Sequence, residues 1–131
     1  MRRPEQTLQI AVAEFLGHAL RPPTIWTAFP AGGGGKVRGA FLKAMGLKAG
    51  WPDLIVITPA IAYPANKTIP MVIGIELKAE KGAQTATQKA VQKAWEGAAG
   101  HYRVARTVNE VEFFLRGLGV PMFARISRRT A

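Results

Sequence analysis

The sequence predicts an α/β domain, a mixed β-sheet flanked by helices. The expected element order is helix, strand, strand, strand, helix, strand, helix. Three observations lead there. Apolar residues recur at helical spacing near both ends of the chain. Runs rich in β-branched and aromatic residues, bounded by proline and glycine, fill the middle. The length of 131 residues suits one hydrophobic core better than two. The domain is expected over residues 1–120, and residues 121–131, with Arg125, Arg128 and Arg129, form a basic tail.

Pro4 suits the first turn of a helix that runs to about Leu20. Leu8, Val12, Phe15, Leu16 and Ala19 form its core stripe, and Glu5 lies on the same stripe. Arg21-Pro22-Pro23 ends it. Residues 24–29 read as a strand closed by Pro30, and residues 31–35 as a glycine loop. A short helix is expected over 38–45, ending at Gly46. Residues 54–58 read as a buried strand, 59–70 as a loop and 71–78 as the next strand. Alternation puts Met71, Ile73, Ile75 and Leu77 on one face of that strand. Val72, Gly74, Glu76 and Lys78 share the other, where Gly74 leaves space beside the charged pair.

Thr85 and Gln88 have the spacing of a capping box that opens a helix to about Ala99, with Gly100 as its terminator. Gln88, Val91, Gln92 and Trp95 lie along one face of it. Residues 101–106 form a short strand. Thr107 and Glu110 offer a second capping box, and Val111, Phe114, Leu115 and Leu118 a second core stripe.

Composition narrows the function classes. The chain has 18 Lys and Arg against 8 Asp and Glu, a formal charge of +10, which favours a polyanionic partner. There is no cysteine, so disulfides, thiolate-bound zinc, iron–sulfur clusters and thiol catalysis are excluded. That fits a cytoplasmic location. The apolar stretch 54–65 is broken by Pro59 and Pro64 and is too short to span a bilayer, so no membrane is expected as a partner. Glu5, Gln6 and Gln9 interrupt any signal-peptide core after Met1-Arg2-Arg3. The glycine run lacks Gly-Lys-Ser/Thr, so no nucleotide-binding loop is read there. His18 and His101 have no partners at metal-ligand spacing.

The chemistry centres on Asp53, the only aspartate, which opens the apolar run Leu54-Ile55-Val56-Ile57. Glu76 and Lys78 lie near the end of the next strand. Phosphodiester hydrolysis needs an activated water and neutralisation of phosphate charge, and Mg²⁺ held by a few oxygens supplies both. Asp53 and Glu76 are the ligand pair, with the backbone carbonyl of Leu77 as a third oxygen. Lys78 is placed to orient the water or stabilise the developing charge. Either fragment alone is common: aspartate after proline often only enters a strand, and Glu-x-Lys is often a solvated pair. Their order on two apolar strands carries the reading.

These residues resemble a known family. Glu5-x-x-Leu8-Gln9, Leu42-Lys43-Ala44-Met45-Gly46, Gly50-Trp51-Pro52-Asp53-Leu54, Ile75-Glu76-Leu77-Lys78, Thr87-Gln88-Lys89 and Gly100 are similar to the pattern of the VRR-NUC domain, within the PD-(D/E)XK nucleases. The resemblance runs from Glu5 to about Leu118. It implies a restriction-endonuclease-like core, dependence on Mg²⁺ or Mn²⁺, and endonucleolytic cleavage of DNA in replication, recombination or repair. It also implies a preference for branched DNA, a homodimer, and a phage or bacterial setting. By resemblance, Glu5 assists the metal site from the first helix and Gln88 lines it from the helix after the catalytic strand.

Lys36, Arg38, Lys43 and Lys48 are the phosphate-contact candidates. Trp26 and Phe29 suit core packing better than base stacking, and Trp51 fits either a pocket wall or the core. A reading from another class is a non-catalytic DNA-binding module of a larger assembly, since net charge suffices for binding.

Overall fold

Apolar periodicity turns into two helices on one side of a sheet. The computed structural model describes residues 4–29, 35–62 and 67–124, apart from the side chains of 61 and 62. Its elements are α1 (Pro4–Ala19), β1 (Ile25–Ala28), α2 (Gly35–Ala44), β2 (Leu54–Ala62), β3 (Lys67–Leu77), α3 (Ala86–Gly97), β4 (His101–Ala105) and α4 (Val108–Gly117). The sheet order is β1-β2-β3-β4. The first two pairings are antiparallel, and β3 pairs with β4 in parallel across the α3 crossover. The expected α/β class and mixed sheet are therefore present.

One face of the sheet is dry. Leu54 and Val56 pair with Ile75 and Ile73, and these four side chains are fully buried. Val12 and Leu16 from α1 and Val111 and Leu115 from α4 close over them, as both stripes predict. Trp26 packs against this core. At roughly 1.5–3 kcal/mol per buried aliphatic side chain, this face is the main source of stability.

The sequence misplaces four features. Residues 59–70 are not simply a loop, because the β2–β3 ladder continues to Ala62↔Lys67. Pro59 and Pro70 sit opposite each other in it. Pairing with β1 stops at Ile57 and pairing with β4 starts at Ile73, so no outer strand needs their missing N–H groups. The short helix begins at Gly35 rather than at 38. The space beside Gly74 is filled: an added Cβ would lie 2.9 Å from Pro52 Cγ and 3.1 Å from Trp95 Cε2. Gly100 also does not take the left-handed position after α3. Ala99 does, at φ 69°, with Ala99 N–H donating to Glu96 and Gly100 N–H to Trp95. Gly100 is small for another reason, since its Cβ would stand 2.4 Å from Trp95 Nε1.

Thr85 and Gln88 close the capping box of α3 as expected. At α4, Thr107 Oγ1 accepts from Glu110 N–H, but the Glu110 carboxylate turns to Arg106 N–H instead of closing a second box. Beyond α4, the start of the expected tail is tied down. Val120 is buried, Arg21 N–H donates to Pro121 O, and Phe123 N–H donates to Ala19 O. Arg125, Arg128 and Arg129 lie outside the described residues.

The end of α3 makes a direct test. Ala99→Gly is expected to raise unfolding stability by about 1 kcal/mol, because alanine at positive φ is strained. Gly74→Ala is expected to lower it by about 1–3 kcal/mol through overpacking against Trp95. Urea unfolding of the two variants reads both, and a destabilised Ala99→Gly would contradict the strain assignment.

Candidate active site

The site lies on the other face of the sheet, under α3. Continuing the Leu54↔Ile75 register by one residue sets Asp53 opposite Glu76. Leu77 N–H donates to Asp53 Oδ2 at 2.7 Å, and Phe29 N–H donates to the Asp53 carbonyl at 3.0 Å. Side chain and backbone of Asp53 are thus both fixed at the strand entry.

Glu76 is fully buried. Tyr102 of β4 donates its hydroxyl to Glu76 Oε1 at 2.6 Å. Oε2 has no hydrogen-bond partner among the described residues. An ionised carboxylate with an unpaired buried oxygen is costly, so this atom is poised for a cation or a donor. Lys78 is 7% exposed, and its backbone N–H donates to Ala105 O.

The acids act on one another. Burial pushes the Asp53 carboxyl above its ordinary 3.8, and the Leu77 N–H opposes that rise. The charges of Glu76 and then Glu5 add to the rise, and Lys78 again opposes it. Glu5, Asp53, Glu76 and Lys78 therefore share one electrostatic neighbourhood. Glu5 reaches it from the exposed first turn of α1, with Oε1 3.4 Å from where a Gly82 Cβ would stand.

Gln88 sits less directly. Its Oε1 accepts Thr85 N–H at 2.9 Å, so its side chain serves the helix cap. Gln84 reaches the chemistry instead. Its side chain opposes the rise of the Tyr102 hydroxyl and donates to Gln92 Oε1 at 2.9 Å. Burial and the Glu76 charge push the Tyr102 hydroxyl above its ordinary range, so it stays a protonated donor.

Tyr102, Gln84 and Arg106 were missed in the sequence. The Arg106 guanidinium donates to Ala79 O and Gly82 O, both at 2.6 Å, and so shapes the turn after β3. Tyr102 pairs with Gly74, a large ring beside a missing side chain. That complementarity is a usable signal only once the strand pairing is known. Lys36, Arg38 and Lys43 are exposed on α2, and Lys48 is exposed between α2 and β2. His18 and His101 are exposed as well.

A divalent cation fits this donor set. The available atoms are hard oxygens, one carboxylate oxygen is orphaned, and the charges of Glu76 and Glu5 act on Asp53. Among the described residues no three His, Cys, Asp or Glu side chains form a ready metal cage. Mg²⁺ needs only one or two protein carboxylates, because it keeps much of its hydration.

No family model matches the sequence, and no curated protein does. A solved structure described as "VRR_NUC domain protein" superposes with a TM-score of 0.68 at 20% identity, over 98% of this chain and 99% of that one. The chain shares that VRR-NUC fold. The likeness extends from the first helix to the last, including the strands that carry Asp53, Glu76 and Lys78. No helix among the described residues is long and apolar enough to cross a membrane.

Two variants check the geometry without a substrate. Asp53 is raised in the fold, so the folded state holds its proton longer than the unfolded chain does. Its contribution is full below pH 3.8 and is lost as pH rises through the folded value. Asp53→Asn is therefore expected to unfold later than wild type at pH 7 in EDTA, with the gap closing toward acid. An equal or lower melting temperature at pH 7 would refute this. Tyr102→Phe is expected to cost about 1.5–3 kcal/mol, because it strips the one hydrogen bond from a buried carboxylate.

Proposed function

We propose that the chain is a divalent-cation-dependent nuclease of the VRR-NUC type that hydrolyses phosphodiester bonds in DNA. One observation carries this reading: Asp53 stands opposite Glu76 at the end of adjacent strands, and the buried Oε2 of Glu76 has no hydrogen-bond partner among the described residues, two positions before the buried Lys78. A structural ion pair does not need an orphaned oxygen, whereas a ligand to a cation does.

Asp53, Glu76 and the Leu77 carbonyl are the residues that would hold Mg²⁺, or Mn²⁺ in its place, with Glu5 adding negative charge from α1. When bound, the cation supplies Lewis acidity toward the phosphate and lowers the pKa of a water. The protein supplies the rest. Tyr102 holds Glu76 through Oε1 and leaves the buried Oε2 unpaired. Leu77 N–H holds Asp53 in register. Lys78 stabilises negative charge on the phosphate as the bond to the leaving oxygen lengthens, and orients the attacking water. Gln88 borders the approach from the N-terminal end of α3. Lys36, Arg38, Lys43 and Lys48 grip backbone phosphates, which set position rather than sequence.

The finer reading is an endonuclease that selects branched DNA, with a homodimer pairing two sites for two cuts. Contacts to backbone phosphates favour recognition of shape over sequence.

The test is cleavage of a labelled panel of four-way junction, fork, flap, single strand and linear duplex. With Mg²⁺ or Mn²⁺, wild type is expected to cut, and EDTA to stop it. Glu76→Ala and Lys78→Ala are each expected to lose at least roughly 100-fold in rate, the usual cost of removing an electrostatic contributor. Tight salt-sensitive binding without cleavage of any substrate would instead favour the non-catalytic module.

A further inference from the structure

Trp51 is a half-exposed indole at the entry to the strand that Asp53 precedes. It lies two residues before Asp53 and is 44% exposed. Its ring is not loose. It meets Phe29 edge-to-face at 6.0 Å and Trp95 at 5.5 Å, with interplanar angles of 76° and 81°. Trp95 in turn meets Tyr102 at 6.3 Å, so the aromatic row runs from the surface to the tyrosine that holds Glu76. The backbone on both sides is pinned. Pro52 is fully buried, and Gly50, at φ +82°, packs so closely on α3 that a Cβ would stand 2.8 Å from Thr87 Cγ2.

A folded protein gains most by covering an indole, and this one holds its indole rigid and about half in water. Rigidity removes the ordering cost that a flexible side chain pays on binding. The surroundings select the ligand. Lys48 is an exposed cation three residues earlier, and α2 carries Lys36, Arg38 and Lys43. A fixed aromatic face preceded in the chain by exposed cations is suited to a nucleobase whose own phosphates such cations hold. A paired base offers no free face, so the occupant is an unpaired one.

We infer that Trp51 is a stacking platform for an unpaired nucleobase adjacent to the scissile phosphate. This rests on the nuclease reading for the position of the phosphate, and it names a substrate feature: a single-stranded nucleotide next to the cut. Trp51 recognises the strand and takes no part in the bond cleavage.

The experiment uses the full chain in EDTA at fixed salt, with a short oligo-thymidylate and an abasic strand of equal length as probes. Oligo-thymidylate is expected to quench the intrinsic fluorescence of wild type. Trp51→Phe is expected to lose that quench, although Trp26 and Trp95 still emit, and to keep most of the affinity. Trp51→Ala is expected to bind oligo-thymidylate roughly 5- to 150-fold more weakly, the range for one lost base–aromatic stack. Both proteins are expected to bind the abasic strand alike. The platform is refuted by an unchanged quench in Trp51→Phe, by no binding of oligo-thymidylate to wild type, or by an equal loss on the abasic strand. Should Trp51→Ala fail to fold, the phenylalanine variant alone decides through its quench. The two readings fail separately: absent cleavage on every substrate sinks the nuclease, while intact cleavage without a Trp51 quench sinks only the platform.

Discussion

The hydrogen bond from Leu77 N–H to Asp53 Oδ2 joins the first residue before β2 to the last residue of β3. It extends an antiparallel ladder by a side chain where backbone pairing ends. Because that ladder also fixes Leu54 opposite Ile75 on the dry face, the same register seats the core and opposes the acids. A slip of one residue would send Glu76 into the aliphatic layer and Ile75 into the site. The eleven residues of β3 are therefore under two constraints at once, and burial on both faces of its second half reflects them.

The two faces divide the work. Under α1 and α4, aliphatic side chains pack with no charge among them. Under α3, a buried glutamate, a half-buried aspartate and a buried lysine sit among Trp95, Tyr102 and Pro52. The second arrangement is poor as a stabilising device, since an ionised carboxylate gains more from water than from one tyrosine hydroxyl. It persists because the aliphatic face supplies a surplus. Arg106 serves the same purpose at the edge by pinning the carbonyls of the turn after β3, which keeps Lys78 and Gly82 in place relative to Glu5.

Much of this was legible in the sequence. Periodicity identified α1, α3 and α4 and the buried stripes of α1 and α4, because helices that cover a sheet write their contacts at fixed spacing. Asp53, Glu76 and Lys78 were legible because strand alternation alone puts the last two on one face. The outer part of the hairpin was not, since Pro59 and Pro70 act as breakers unless it is known that no strand flanks them. Tyr102 was hidden for a different reason. Its importance comes from a parallel pairing formed across a crossover, and local spacing does not encode which residue of β4 will stand beside Gly74. Gln88 illustrates the converse. Its capping bond is local and was readable, and the structure spends its Oε1 there.

Charge distribution gives the last step. The chain carries +10 overall, yet three of its eight acids, Glu5, Asp53 and Glu76, gather in one neighbourhood. The exposed cations of α2 and Lys48 create an attractive field for a polyanion at the distance of a Debye length, about 8–10 Å in ordinary salt. At contact, the carboxylates repel a phosphate that approaches them directly. Under the proposed reading these opposing fields separate binding from chemistry. Backbone contacts and a base on Trp51 can hold a strand without any cation, whereas the scissile phosphate can settle against Asp53 and Glu76 only when their charge is neutralised. Metal dependence is then a consequence of electrostatics at close range, and strand binding need not share it.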